Sequence, residues 1–203
     1  MTRGRPFDDG GQTLPIYIWL TGILLFVALA FFAFAQAASA RNGAQSAADA
    51  AALAAAQESR NELAERLGLS IGQGDEWLDW LTGDLPTDIE AARAAADVLA
   101  AENDSQVTGL VSTEASGLPG YKVSVETNYT VGDSVIPGTE TQHANADATA
   151  VIKPRCDVDP SSDPEKVVEF DCDGGESFEI DPEDFEAGDL PDASALFSVH
   201  LAE

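Results

Sequence analysis

The pattern of apolar and polar positions divides the chain into stretches of different character. From Leu14 to Ala40, LPIYIWLTGILLFVALAFFAFAQAASA carries no charged side chain, and its polar interruptions are Thr21, Gln36 and Ser39. A helix of that length reaches roughly 40 Å at ~1.5 Å per residue, enough to cross a hydrocarbon core of about 30 Å with some tilt. Tyr17 and Trp19 stand near its start, where amphipathic rings favour the headgroup level. Thr13 can cap the helix, and Pro15 falls in the first turn, where a missing N–H costs nothing. The pattern predicts a transmembrane helix over 14–40 after a cytoplasmic leader over 1–13.

Residues 41–69, RNGAQSAADAAALAAAQESRNELAERLGL, keep helical composition, with Gly43 as the weak link. Leu53, Leu63 and Leu67 recur at spacings compatible with one face, while Gln57, Glu58, Arg60 and Glu65 can face water. The membrane helix is therefore expected to continue as an alanine-rich stalk whose small side chains admit a close neighbour. After a glycine-bearing turn at 71–75, Glu76–Leu81 places Trp77, Leu78, Trp80 and Leu81 within six positions, a docking signal. Gly83–Pro86 breaks the chain, and Pro86 or Thr87 opens an amphipathic helix to Ala101 with Ile89, Ala92, Ala96 and Leu99 on its apolar side.

Period-two alternation then takes over. Gln106–Thr113, Tyr121–Val131 and Ala146–Ile152 read as strands, separated by turns at Gly117–Gly120 and Ile136–Gly138. The simplest assembly is an α+β fold: a long N-terminal helix packed on a small antiparallel sheet of three strands, a pilin-like architecture. The expected ectodomain spans 70–152. From 153 to 203 the chain turns acidic, with sixteen Asp and Glu against three Lys and Arg and five prolines. Val167–Phe170 and Ser177–Ile180 read as a hairpin around Asp173-Gly174-Gly175. Ala195–Leu201 alternates weakly and fits either a terminal strand or a disordered tail.

Charge narrows the function classes. The formal net charge of the 203 residues is -26, which repels phosphate backbones and excludes a nucleic-acid partner. Arg3 and Arg5 before the span place the N-terminus in the cytoplasm, and with it the C-terminal domain outside the cell, although Arg41 argues the other way. A single pair of cysteines, Cys156 and Cys172, in an exported domain reads as a disulfide. Ala38-Ser39-Ala40 matches a signal-peptidase pattern, but the apolar run is nearly twice the usual length of a signal sequence, which favours a retained anchor.

No nucleophile with a base, no phosphate-binding loop and no dinucleotide fingerprint is present, so neither a catalytic residue nor a cofactor is assigned. His143 and His200 lie far from the cysteines in sequence. Asp157, Asp159, Asp163, Asp171, Asp173 and Glu176 cluster around them, yet counting from Asp171 puts Gly175 and Glu176 at loop positions five and six and Pro182 at twelve, which rejects an EF-hand. A nonstandard calcium site stays open as an alternative, and with it a secreted or membrane-tethered acidic binding module. Candidate partner contacts are Asp49, alone among alanines, together with Leu53, Trp77 and Trp80.

Gly11-Gln12-Thr13-Leu14-Pro15, the apolar span, and then RNGAQSAADAAALA over 41–54 resemble the N-terminal region of TadE/TadG-like proteins of the tight-adherence (Flp) pilus assembly system, in the actinobacterial form. The resemblance covers about a quarter of the chain. It implies a non-enzymatic, single-pass membrane component of that apparatus or a related secretion system. Its partners would be other membrane proteins of the apparatus, with homo- or hetero-oligomers formed through the N-terminal helix. Two departures stand out. Ile16 occupies the fifth position after Gly11, where processed pseudopilins carry glutamate, and Asp192-Ala193-Ser194-Ala195-Leu196 breaks the D-x-S-x-S metal motif of the larger TadG proteins.

Overall fold

A computed structural model describes residues 13–82, 88–132, 141–159 and 161–202. The chain opens with one uninterrupted helix, α1 (Thr13–Ser70), 58 residues long, or about 87 Å at ~1.5 Å per residue. Its two halves have different surroundings. Large apolar side chains from Leu14 to Phe34 are exposed on every side of the helix, Trp19 at 73% and Phe31 at 76%. The second half is buried along one stripe: Ala44, Ala47, Ala48, Ala51, Ala52, Ala55 and Ala56 are inaccessible, and Leu63 and Leu67 continue the line. The gaps alternate three and one, so the residues fall at i, i+3, i+4, i+7 and i+8, the face of a 3.6-residue period.

The stripe packs against a four-stranded antiparallel sheet in the order β1-β2-β3-β7. Its strands are β1 (Ser105–Ala115), β2 (Leu118–Thr130), β3 (His143–Pro154) and β7 (Phe197–Leu201). The expected three strands thus become four. Phe197–Leu201 resolves as a strand because it completes the edge beside Ala150–Pro154, a pairing between segments more than forty residues apart. α2 (Glu76–Thr82) follows the end of α1, and α3 (Ile89–Glu102) lies beside α1 on the same face of the sheet. The helix predicted from Pro86 or Thr87 has its cap at Asp88, whose carboxylate accepts from the N–H groups of Glu90 (2.8 Å) and Ala91 (3.4 Å). Pro86 and Thr87 themselves, like Gly83–Leu85 and the turn predicted at Ile136–Gly138, lie outside the described residues. In α3 the buried side chains are Ala92, Ala96 and Ala100, while Ile89 is exposed.

The β1–β2 turn is tighter than Gly117–Gly120. Ser116 and Gly117 both take positive φ (55° and 79°), the geometry of a two-residue hairpin turn whose twist matches the flanking strands. Leu118, Pro119 and Gly120 are already in β2, opposite Ala115, Glu114 and Thr113. Pro119 is tolerated there because pairing with β3 starts only at Gly120, so its missing N–H faces no neighbouring strand.

A second, three-stranded sheet, β4-β5-β6, uses β4 (Cys156–Val158), β5 (Val168–Cys172) and β6 (Glu176–Ile180), and contains the hairpin expected around Asp173-Gly174-Gly175. Cys156 and Cys172 are directly opposed in register and joined by a disulfide. A short 3-10 turn (Ala187–Asp189) and α4 (Ala193–Leu196) lead into β7. Val168, Phe170 and Ile180 belong to the same core as the alanine stripe, Trp77, Tyr121 and Phe197.

Candidate functional site

The position of the domain along α1 follows from three contacts. Ser59 meets Tyr121 by hydrogen bond. Gly43 lies under the ring of Tyr129, so close that a Cβ there would overlap the phenolic oxygen. A Cβ on Gly132 would sit 3.6 Å from Gln36 Nε2. From Tyr121 to Tyr129 β2 advances about 26 Å at ~3.3 Å per residue, and from Ser59 back to Gly43 α1 covers about 24 Å. β2 therefore runs antiparallel to α1 and nearly alongside it. Ala33 is only 7% exposed, and Ala40 and Ala44 pack with Ala144 and Val131. The helix is free of the domain only over 14–32.

That free stretch is about 28 Å long, close to a hydrocarbon thickness of roughly 30 Å, and is apolar on all sides. It has the length and composition to cross a membrane. The alanine-rich continuation packs on the protein's own sheet, as expected, with its alanine face inside the core.

Asp49 is half-buried on α1 and accepts from Gln45 Nε2 at 2.8 Å. Gln45 also reaches the backbone carbonyl of Asp147 on β3 (3.4 Å), and Lys122 Nζ lies 3.7 Å from the Asp147 carboxylate. These groups line a notch of about 350 Å³ closed by Thr149, Leu201 and Ala202. β7 pairs with β3 only from Ala150 onward, and the notch opens where that pairing ends. Sequence reasoning picked out Asp49 but missed Gln45 and Lys122. The only available signal was Lys122 as a lone cation on the polar side of an alternating strand.

The other candidates lie elsewhere. Leu53 is half-buried against the core. Trp77 and Trp80 are on α2, beyond the far end of α1. Trp77 is fully enclosed, with no partner for its indole N–H among the described residues, and Trp80 is partly covered. Asp49 and the tryptophans are not brought together.

The acidic region forms a charged face. Asp157 opposes Asp171 and Glu169 opposes Glu179 across β4–β5–β6, like charges in register. Asp171 accepts from Ser177 Oγ (2.5 Å), and Arg155 lies 3.7 Å from Asp173. The hydroxyl of Ser161, and then its backbone N–H, hold the Asp159 carboxyl below its usual range. A bond from Lys166 does the same for Asp163, and the lysine is raised in turn. Among the described residues no group of three or more His, Cys, Asp or Glu side chains converges to hold a metal ion.

Fold and surface together define an α+β domain built on a long helix whose first part is bare and apolar. The family model described as "Putative Flp pilus-assembly TadE/G-like" matches residues 11–58, so this stretch is TadE/TadG-like. The match takes in the free apolar helix and the alanine stripe and stops before the sheet. Neither the curated proteins nor the solved structures contain a match to the chain.

Proposed function

We propose that the chain is a non-enzymatic, single-pass membrane component of a Tad/Flp-type pilus assembly or related secretion apparatus. The observation that carries this reading is the coincidence of the TadE/G-like match over 11–58 with a helix that is bare and apolar over 14–32 and structural thereafter. Arg3 and Arg5 favour a cytoplasmic N-terminus, which leaves the disulfide-bonded domain outside the cell. The domain would present its notch around Asp49 and its acidic small sheet to other components of the apparatus. The exposed part of α1 would contact their membrane helices. The division we carry forward is leader 1–13, anchor 14–40, continuing helix 41–69, α+β part 70–152 and acidic part 153–203.

The test is a deletion strain examined for surface fibres by electron microscopy. Loss of fibres, restored by the full chain but not by a chain lacking 14–32, is expected. Normal fibres in the deletion strain would refute the assignment. A calcium-binding module is not favoured by any arrangement of the carboxylates described above.

A further inference from the structure

We propose that the domain is seated directly on the membrane, with the end formed by Tyr129–Gly132 and Gln142–His143 resting in the lipid headgroup layer. This rests on reading the bare part of α1 as a membrane anchor. The occupant of this surface is a lipid headgroup, and four observations point to it.

The first is a length. The bare helix ends at Phe32, about 28 Å from Leu14, so a hydrocarbon core of roughly 30 Å that begins at Leu14 ends beside the domain. The second is a contact. Gly132 meets Gln36, four residues or about 6 Å further along α1, inside the roughly 5–8 Å of polar interface on each side of a bilayer. No length of free helix separates membrane from domain. Phe34, 70% exposed, points outward at the same level.

The third is a direction. β2 lies alongside α1 and runs toward the membrane, so its C-terminal end and the start of β3 form the nearest edge of the sheet. Val131 N–H donates to the Gln142 carbonyl (2.9 Å) and closes that edge. Tyr129, 40% exposed beside Gly43, adds an aromatic ring with a polar tip about 10 Å further from the bilayer centre than Gln36.

The fourth is charge. The acidic small sheet is at the opposite end of α1: a Cβ on Gly72 would meet the Pro182 carbonyl at 2.9 Å, and one on Gly68 would meet Leu190 at 3.6 Å. The opposed carboxylates of Asp157, Asp171, Glu169 and Glu179 are thus held away from phosphate headgroups. A polyanion placed the other way round would be repelled by its own membrane.

The experiment uses the full chain in phosphatidylcholine vesicles containing a lipid spin-labelled at the headgroup. Gln142→Cys and Glu65→Cys, both at exposed positions, are labelled with a fluorophore under non-reducing conditions, the native cysteines being bonded to each other. Glu65 lies about 44 Å further along α1 than Gln36, well clear of the interface. Loss of emission from the Gln142 label and none from the Glu65 label is expected. Inserting seven polar helix-forming residues between Phe32 and Ala33, about two turns, lifts the domain by about 10 Å and should abolish the loss. Equal emission from the two labels, or quenching that survives the insertion, overturns the proposal while leaving the anchor intact. Failure of the protein to float with the vesicles would overturn the anchor and the seat together.

Discussion

The hydroxyl of Ser59 on α1 lies 2.7 Å from the phenolic oxygen of Tyr121 on β2, and both side chains are buried. The same phenol donates to the carbonyl of Asp88 (3.2 Å), the residue that caps α3. One polar contact therefore ties the long helix, the central strand and the second helix together. Ser59→Ala removes one bond and should cost about 1 kcal/mol; Tyr121→Phe removes both and should cost about 2 kcal/mol. Thermal unfolding of the two variants and the double variant checks the order. Strict additivity in the double variant would mean that the two hydroxyls act independently.

Two glycines make opposite predictions. A Cβ on Gly43 meets only the tip of Tyr129, a half-exposed side chain that can swing aside, and alanine regains helix propensity of about 1 kcal/mol. Gly43→Ala should be close to neutral. A Cβ on Gly120 would overlap the backbone carbonyl of Ala150, which is held by the β2–β3 ladder and cannot swing. Gly120→Ala should cost roughly 1–3 kcal/mol and loosen β3. Denaturant unfolding and amide exchange across 144–152 distinguish the two.

The glycines also mark what the sequence could and could not convey. The charge-free run, the alanine helix, the tryptophan pair and the disulfide are local signals, and each appears in the structure where the local pattern placed it. Gly43 read as a weakness because nothing nearby in sequence announces Tyr129, 86 positions away. Gly120 read as the end of a turn because Pro119-Gly120 usually breaks a strand. Whether it does depends on where the third strand begins to pair. β7 was ambiguous for the same reason, since five weakly alternating residues gain their identity from an edge supplied by β3. The role of the alanine stripe was half legible: close packing could be foreseen, but whether the neighbour was another chain or the chain's own sheet depended on the length of β2. In the candidate site Asp49 stood out by isolation, whereas Lys122, on the face of β2 opposite Tyr121 and Val123, became visible only once β3 set Asp147 beside it.

The exposed pair of Asp163 and Lys166 offers a test by pH. Lys166 Nζ lies 2.5 Å from Asp163 Oδ2, and this bond, then the backbone N–H of Glu165, lowers the carboxyl. A folded value below the ordinary ~3.9 means that the contribution is present above that pH and fades as pH falls through the lowered value. The lysine, raised by the same bond, contributes below its ordinary value near ~10.4 and loses the contribution as pH rises through the elevated one. Lys166→Met should raise Asp163 toward the ordinary carboxylate range in an NMR titration, with the Glu165 N–H still holding it on the low side. Asp159, held mainly by Ser161, should not move. An unchanged Asp163 would show that the pair does not persist in solution.

Variants of α1 must separate folding from assembly, and Asp49 and Ala51 do so from neighbouring positions. Ala51 is inaccessible, with the sheet packed over it. Ala51→Pro removes a helix bond and forces a ring into that contact, at a cost of about 3 kcal/mol or more. Loss of partners by that variant would report unfolding, not a lost interface. Asp49 is half-buried, its carboxylate held by Gln45, and alanine there improves the helix. Asp49→Ala should leave stability within about 0.5 kcal/mol of the parent. If the notch with Gln45 and Lys122 is a contact for the apparatus, this variant should insert into membranes, melt as the parent does, and fail to co-purify the other components. Normal co-purification would remove Asp49 from the interface and shift the search to the bare apolar face over 14–32.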